Sequence, residues 1–275
     1  MKIIDTFQDM VDAFSNGPFN MDKWEKYADH ISPSLTKKVK ADCSDYHFET
    51  QILPVITHML QNIEKAEQAH RSFVKAVKEL PQKTADIFGE ELEISIIFYL
   101  GLCNGAGWAT DLNGQSVILM GIEKIVELNW CNERNMAGLL YHELGHIWHY
   151  THRTVPTTVE TQKQKALWQL YTEGMAMYCE QLLYGDSNFY HQDQGQWLPW
   201  CQNNQSRLFQ VYAQKMSAGE SVQPFYGDWC QWEGHSDVGY FLGALLIRSL
   251  TEKYTLKELA NLSLETVEEK VLSMA

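Results

Sequence analysis

The sequence predicts a mostly helical α+β protein with one small mixed sheet, which lies next to a helix that begins near Asn132. Apolar residues recur at helical spacing through most of the first 90 residues and again after residue 132. The stretch between these two parts is instead rich in β-branched and aromatic residues, which favour strands. Because the strand-like segments are grouped and do not alternate with helices, their order indicates an α+β fold.

The change of character near residue 90 also predicts two parts of the chain. Residues 1–90 form a helical N-terminal region, and residues 91–275 form a second domain. A single compact unit that contains both parts is the alternative. The chain has 275 residues, of which 45% are hydrophobic, and this is enough to bury a core in either arrangement.

Three helical segments are expected in the first 90 residues. Two short amphipathic segments cover residues 5–14 and 21–30. A longer pattern runs from residue 48 to residue 80, with a break near Gln68. Pro81 is expected to end this pattern, because proline has no N–H for the helix and clashes with the preceding turn.

The strands are expected in residues 92–120. Residues 92–100 are β-branched and aromatic and predict one strand. Asn113-Gly114 separates two further strand-like segments, residues 108–112 and 116–120. Since an Asn-Gly pair accepts the two positive φ angles of a type I′ turn, these segments predict a β-hairpin.

Helices dominate the rest of the chain, where two polar and aromatic loops, residues 185–200 and 217–234, lie among them. The expected helices cover residues 132–150, 160–184, 203–216, 236–254 and 264–272.

The composition argues against several classes of partner and location. The formal net charge is −13, and no basic cluster stands out beyond residues 37–40, so no nucleic-acid partner is predicted. No segment approaches the roughly 18 apolar residues that cross a bilayer, so no membrane partner is predicted. The N-terminus lacks the features of a secretion signal, and the 6 cysteines are widely spaced without a CxxC pair. These features predict a cytoplasmic protein with reduced thiols.

The pentapeptide HELGH at residues 142–146 lies inside an apolar, helix-forming run. Residues four apart share one face of a helix, so His142 and His146 can bind the same metal ion. Glu143 then lies beside the metal without having to ligate it. Two histidines that bind zinc and a glutamate that acts as general base form the arrangement of zinc hydrolases, and zinc is the predicted cofactor.

A catalytic zinc usually has three protein ligands and an exchangeable water, so a third ligand is needed. Glu173 is the best candidate, because it lies on the next predicted helix and a turn near Pro156 can bring that helix back antiparallel to the first. Glu160 and Glu180 are the competing acids. Glu160 falls at the expected helix start, where the helix dipole alone explains an acid. Glu180 could instead support a ligand histidine.

Glu143 is expected to take a proton from a metal-activated water and to return it to the leaving amine. The oxyanion that forms needs a hydrogen-bond donor besides the metal. His235 and Tyr240 are the candidate catalytic donors, since they lie in a predicted loop and at the following helix start. The structural alternatives are a surface loop residue for His235 and a core aromatic residue for Tyr240.

Several neighbouring residues are expected to have structural roles. His149 and His152 follow the pentapeptide and are expected to be exposed or at the helix end, where histidine complements the helix dipole. Small residues next to Glu173 favour close approach of another backbone. Gly239 and Gly243, four apart on a later helix, are likewise expected to allow close helix packing.

These motifs resemble the gluzincins, the thermolysin-like zincins with HExxH and a downstream glutamate, and more narrowly a group of predicted cytosolic zinc-dependent proteases. The resemblance covers about residues 92–273 and implies a zincin-like fold and peptide hydrolysis. In thermolysin-like enzymes an Asp often supports a ligand histidine at the position of Met177, so that support must be built differently here. The motifs are the Asn-Gly hairpin, HELGH, Glu-Gly-x-Ala-x-Tyr at residues 173–178, Gly-Tyr-x-x-Gly at residues 239–243 and the tail KYTLKEL at residues 253–259.

The sequence thus predicts a cytoplasmic zinc metallopeptidase with a peptide or protein substrate, and it leaves the oligomeric state open. Zinc peptidases commonly hold an extended substrate along a sheet edge, and residues 115–121 are either that edge or a plain half-buried strand. One alternative function is hydrolysis of a non-peptide amide. Another is a zinc-binding chaperone or regulatory protein that uses the same fold without turnover. Its binding surface would contain tryptophans that are otherwise partly buried core residues, namely Trp197, Trp200, Trp229 and Trp232.

Overall fold

The computed structural model describes residues 1–14, 17–227 and 229–275. They form two compact units, Met1–Glu143 and Leu144–Ala275, whereas the sequence predicted a boundary near residue 90. The difference arises because residues 2–5 pair with a strand that follows residue 90, so the N-terminal region and the sheet belong to one unit. The division falls inside one continuous helix, Glu133–His152.

The first unit contains a four-stranded mixed sheet with the strand order β1-β2-β4-β3. β1, β2 and β4 run parallel, and β3 pairs antiparallel with β4 at the edge. The predicted hairpin is confirmed, since Asn113 and Gly114 join β3 to β4 with φ angles of 55° and 78°. β1 was not predicted, because so short a segment shows no strand alternation. The strands are β1 Lys2–Asp5, β2 Ser95–Tyr99, β3 Gly107–Leu112 and β4 Gln115–Gly121.

Helices pack on this sheet to form the core of the first unit. The Phe73 ring of helix α5 (Ile63–Phe88) stacks on Phe98 of β2 with ring centroids 4.5 Å apart. The long helical pattern is interrupted at Asn62, where α4 ends, and not at Gln68. The other helices of this unit are α1 Phe7–Phe14, α2 Met21–Ile31, α3 Leu35–Asp42, α4 Leu53–Gln61 and α6 Ile122–Glu127.

Pro81 does not end its helix, so that prediction is wrong. It lies inside α5, which continues to Phe88. The reason is burial, because Leu80, Thr84 and Phe88 continue the buried stripe of the helix at a spacing of four residues. The Thr84 hydroxyl also donates to the Leu80 carbonyl, with an O···O distance of 2.9 Å. This packing outweighs the cost of an internal proline, about 3 kcal/mol.

The second unit is built from the end of helix α7 (Glu133–His152) and the helices that follow it. Two of them, α8 and α11, approach closely: a Cβ atom on Gly174 would lie only 2.4 Å from the carbonyl oxygen of Gly243. The predicted helices are confirmed, although the one expected over residues 236–254 ends at Arg248. The helices are α8 Gln162–Tyr184, α9 Trp197–Asn203, α10 Gln205–Ala218, α11 Val238–Arg248, α12 Leu256–Leu259 and α13 Leu264–Met274.

The predicted fold class is confirmed: the chain is mostly helical and has one small mixed sheet. None of the helices that the structure describes is both long and apolar enough to cross a membrane. All six cysteines are free thiols.

Candidate metal centre

Helix α7 carries three of the predicted site residues, His142, Glu143 and His146. From residue 135 to residue 149 every side chain is buried except Ala137 and His146, which are half-buried. A helix that is buried on all faces belongs to the protein core. Polar groups placed there need partners, because burying an unpaired imidazole or carboxylate is costly.

The structure brings the three predicted metal ligands together. His146 Nε2 lies 3.2 Å from Glu173 Oε2. One ligand atom from each of His142, His146 and Glu173 lies within 4.8 Å of the others. The His146 and Glu173 side chains keep 12% and 18% of their surface exposed, so solvent and small groups can reach them.

This set of ligand atoms fits zinc. Zinc takes imidazole nitrogen and carboxylate oxygen at about 2.0–2.2 Å in a tetrahedral arrangement, which places neighbouring ligand atoms roughly 3.3 Å apart. The 3.2 Å separation of the His146 and Glu173 atoms matches this spacing. Three protein ligands leave a fourth position for water or substrate, as in catalytic zinc sites.

Small residues around Glu173 hold its carboxylate in place. Gly174, the next residue, lies against the backbone of Gly243 in α11. Three residues after Glu173, Ala176 meets α7, since a Cβ atom on Gly145 would lie 2.8 Å from the Ala176 Cα atom. These contacts confirm that the small residues serve close backbone packing, and they fix α8 so that Glu173 reaches His146.

Glu143 contacts the edge strand of the sheet. The Ala109 N–H of β3 donates to Glu143 Oε2 with an N···O distance of 2.7 Å. A Cβ atom on Gly107 would lie 2.6 Å from Glu143 Oε1, so only glycine leaves room for this carboxylate. The small sheet therefore lies next to the HExxH helix, as the sequence predicted.

The sheet edge at this place is β3 and not β4. Residues 115–121 were considered as the edge, but β4 lies between β2 and β3 and is an internal strand. Because the Ala109 N–H donates to Glu143, it points away from β4. Main-chain groups of alternate residues in an antiparallel strand point the same way, so those of Gly107 and Asp111 also face outward.

Tyr240 lies in the first turn of α11 and is half-buried. Its ring meets the Tyr226 ring edge-on, with centroids 5.7 Å apart. The Tyr226 hydroxyl lies 3.0 Å from that of Tyr212. Burial above all, then Tyr212 and the negative charge of Glu173, raise the pKa of Tyr226 well above its usual value. Sequence reasoning missed Tyr226, and Gly239 makes room for its ring rather than for a helix backbone.

His235 lies in the loop before α11 and is half-buried. Its ring stacks on Trp200 with centroids 3.8 Å apart. Its backbone pairs with Trp232, and its Nδ1 lies 3.2 Å from the Glu233 carbonyl oxygen. These contacts lie within the loop and with Trp200 of α9, and none of them involves a candidate ligand.

The four tryptophans of residues 185–234 are mainly parts of packed structure. Trp197 is buried and donates to the Ser236 carbonyl at 2.8 Å. Trp200 is half-buried, and Trp232 is half-buried with its ring stacked on Phe225. Trp229 is the exposed member of the group, with 38% of its surface accessible.

His149 lies in the last turn of α7, as one of the two predicted positions allows, but it is fully buried and not exposed. The reason is that α7 is enclosed on all faces and not only on the face of the ligands. The His149 ring meets Tyr171 edge-on, with centroids 4.9 Å apart. Burial lowers the pKa of His149 to about 3, with further lowering by His146 and Arg153. His152 at the helix end is half-buried, as its predicted terminal position allows.

Glu180 and His191 form a second buried group that the sequence did not reveal as a pair. The His191 backbone N–H and Nδ1 lie 2.9 Å and 2.8 Å from the two carboxylate oxygens of Glu180. One ligand atom each from His142, Glu180 and His191 lies within 4.8 Å of the others. His191 lies in the polar and aromatic loop between α8 and α9, where no spacing signals a site. Glu160, the other competing acid, is exposed.

Comparisons of the chain with protein-family models, with curated proteins and with solved structures found no match. The likeness to gluzincins therefore rests on the sequence motifs alone.

Proposed function

We propose that this chain is a cytoplasmic zinc metallopeptidase of the gluzincin type. The observation that carries the proposal is the group of ligand atoms from His142, His146 and Glu173 within 4.8 Å of one another. Glu143, the neighbour of His142 on the same helix, supplies a carboxylate that a backbone N–H holds in place. Three zinc ligands with an adjacent carboxylate support metal-assisted hydrolysis as the class of reaction.

Glu143 is the proposed general base. Zinc, when bound, polarises a carbonyl and lowers the pKa of water toward neutrality. Glu143 accepts the proton of the attacking water and later gives it to the leaving amine. The Ala109 N–H engages Oε2 of the carboxylate, so Oε1 is the oxygen that we assign to proton transfer.

The outer edge of β3 is the proposed binding surface for the substrate backbone. An extended peptide can add to a sheet edge through main-chain hydrogen bonds, with side chains alternating between the two faces. The outward carbonyl of Ala109 and the outward groups of Asp111 would form these hydrogen bonds. A peptide in this position passes beside Glu143, which contacts the same strand. The substrate would therefore be an extended segment of polypeptide.

Tyr240 is the favoured candidate for the donor to the oxyanion. It contacts Tyr226, whose pKa is raised in part by the charge of Glu173. A tyrosine hydroxyl that reaches the substrate can donate to an oxygen on which negative charge develops. His235 is less favoured, because its described contacts are with its own loop and with Trp200 of α9.

Peptide cleavage by purified protein tests this function. Unstructured peptides and small non-peptide amides are incubated with the protein before chelation, after chelation, and after zinc is restored. We expect the peptides to be cleaved only when zinc is present. Glu143→Gln should lower the rate by about 100-fold or more, since general base catalysis contributes 10²–10⁴-fold, while zinc binding is retained.

Glu160→Gln is the matched control, because Glu160 is an exposed acid near the start of α8. It should leave peptide cleavage unchanged. Cleavage that survives both chelation and Glu143→Gln would contradict the proposal, and cleavage of small amides alone would contradict the peptide substrate.

A further inference from the structure

Glu180 and His191 form a buried polar pair that proton transfer by Glu143 does not require. Glu180 is fully buried, and only 3% of the His191 side chain is exposed. Both carboxylate oxygens of Glu180 accept from His191, one from the backbone N–H at 2.9 Å and one from Nδ1 at 2.8 Å. The second contact assigns the ring proton of His191 to Nδ1.

Helix geometry places this pair beside His142. Glu180 lies two turns after Glu173 on α8, so both side chains leave the same face of that helix. Glu173 meets His146, and His142 lies one turn before His146 on α7. The ligand atoms of His142, Glu180 and His191 accordingly lie within 4.8 Å of one another.

Close backbone packing holds the two helices at this place. A Cβ atom on Gly145 would lie 2.8 Å from both the Cα atom of Ala176 and the Cβ atom of Cys179. Cys179 immediately precedes Glu180 on α8. This contact therefore fixes the position of Glu180 along the axis of α7. His142, three residues before Gly145, lies on the same part of that helix.

The charge of this group also needs an explanation. A buried carboxylate is costly unless donors or a positive charge compensate it. His191 supplies two donors. An imidazole that binds a metal through one nitrogen carries a proton on the other, and a carboxylate commonly accepts that proton. A divalent cation with a single carboxylate ligand would also leave one positive charge to balance Glu180.

We propose that Glu180, held by His191, accepts the N–H of His142 and so fixes the orientation of that imidazole as a metal ligand. Glu180 and His191 are then positioning residues that act through His142. This inference rests on the proposed function, because it needs His142 to bind the metal. Glu180 and His191 are also more enclosed than His146 and Glu173, as expected for groups that do not meet substrate.

Zinc affinity, measured by competition with a chelator for Zn²⁺ alone, tests the inference without any activity assay. Glu180→Gln should weaken zinc binding by about 10–100-fold, the usual effect of removing such a partner. His191→Leu should weaken it as well. His191→Asn should restore much of the affinity, because the asparagine amide places an N–H donor close to the position of Nδ1.

Glu123→Gln is the matched control. Glu123 is also a fully buried glutamate, and it accepts from the backbone N–H groups of Gly101 and Cys103 at 2.8 Å and 2.9 Å. The melting temperature of each metal-free variant reports any purely structural effect. We expect Glu123→Gln to affect melting but not zinc affinity.

The possible results separate this inference from the proposed function. Wild-type zinc affinity in Glu180→Gln and His191→Leu would overturn the positioning role alone. Two zinc ions per wild-type chain, one of which is lost in Glu180→Gln, would overturn it in favour of a second metal site. A wild-type chain that binds no zinc would overturn both.

Discussion

At the scale of single residues, the proposed chemistry depends on how firmly Glu143 is held. Its carboxylate accepts from the Ala109 N–H and fills the space that a side chain at position 107 would need. A general base must lie within hydrogen-bond reach of the proton that it takes, so small displacements of this carboxylate matter. The backbone of β3 is therefore part of the proposed catalytic arrangement, although it would contribute no side chain to the reaction.

Gly107→Ala tests this dependence. The new Cβ atom would lie 2.6 Å from Glu143 Oε1 and 2.7 Å from Cγ, so the carboxylate must move. A displacement of about 1 Å can cost roughly 100-fold in rate, and we expect a loss of kcat/KM of that order. Zinc content should not change, because no metal ligand is touched. Full peptidase activity in this variant, or loss of zinc, would count against the assigned role of Glu143.

Residue spacing predicted the candidate ligands, and it also offered Glu180 as a support for a ligand histidine, but it did not predict Tyr226 or His191. His142 and His146 follow from helix periodicity, and Glu173 follows from the small residues beside it on the next helix. Tyr226 and His191 lie in or next to loops, where no period relates a residue to a distant helix. Their positions result from loop packing, as when Tyr226 occupies the space left by Gly239.

At the scale of secondary structure, the site depends on how closely α8 approaches its neighbours. Gly174 and Gly243 bring α8 and α11 into backbone contact, and Gly145 does the same for α7 and α8. Glu173 precedes Gly174 directly, so the packing of the helices also sets the position of a candidate metal ligand.

Gly174→Ala should destabilise the protein. In an open helix the change would favour folding by about 1 kcal/mol. Here the added Cβ atom would lie 2.4 Å from the Gly243 carbonyl oxygen, and such overpacking typically costs about 1–3 kcal/mol. Urea denaturation of the metal-free protein measures the change in the free energy of unfolding. Equal or greater stability of the variant would show that the helices do not need glycine at this contact.

Local signals predicted some elements well, and tertiary contacts decided the others. Asn113-Gly114 specified its hairpin because the required φ angles belong to the two turn residues themselves. β1 could not be predicted, because its pairing partner lies far along the chain. Pro81 was expected to end α5, but the buried stripe through Leu80 and Phe88 carries the helix past it.

At the scale of the whole molecule, buried ionisable groups make stability depend on pH. His149 is neutral in the folded protein because burial lowers its pKa to about 3, whereas an unfolded histidine has a pKa of about 6.5. Between these two values the unfolded chain binds one more proton than the folded chain. Protonation therefore favours unfolding, and stability falls as the pH drops below about 6.5.

His149→Phe should make this loss of stability shallower. The variant removes the titrating group but keeps an aromatic ring beside Tyr171. Between pH 6.5 and pH 5, we expect the free energy of unfolding of the metal-free wild type to fall more steeply than that of the variant. The two slopes should differ by up to about 1.4 kcal/mol per pH unit. Denaturant titrations at several pH values measure both slopes, and equal slopes would argue against a neutral, buried His149.

The central claim is that His142, His146 and Glu173 bind one zinc ion. The most direct test is the zinc content of purified protein, measured by elemental analysis for the wild type, for Glu173→Ala and for the exposed control Glu160→Ala. We expect about one zinc per chain in the wild type and in Glu160→Ala, and little zinc in Glu173→Ala. A wild-type chain that binds no zinc, or a Glu173→Ala chain that keeps it with wild-type affinity, would contradict this assignment.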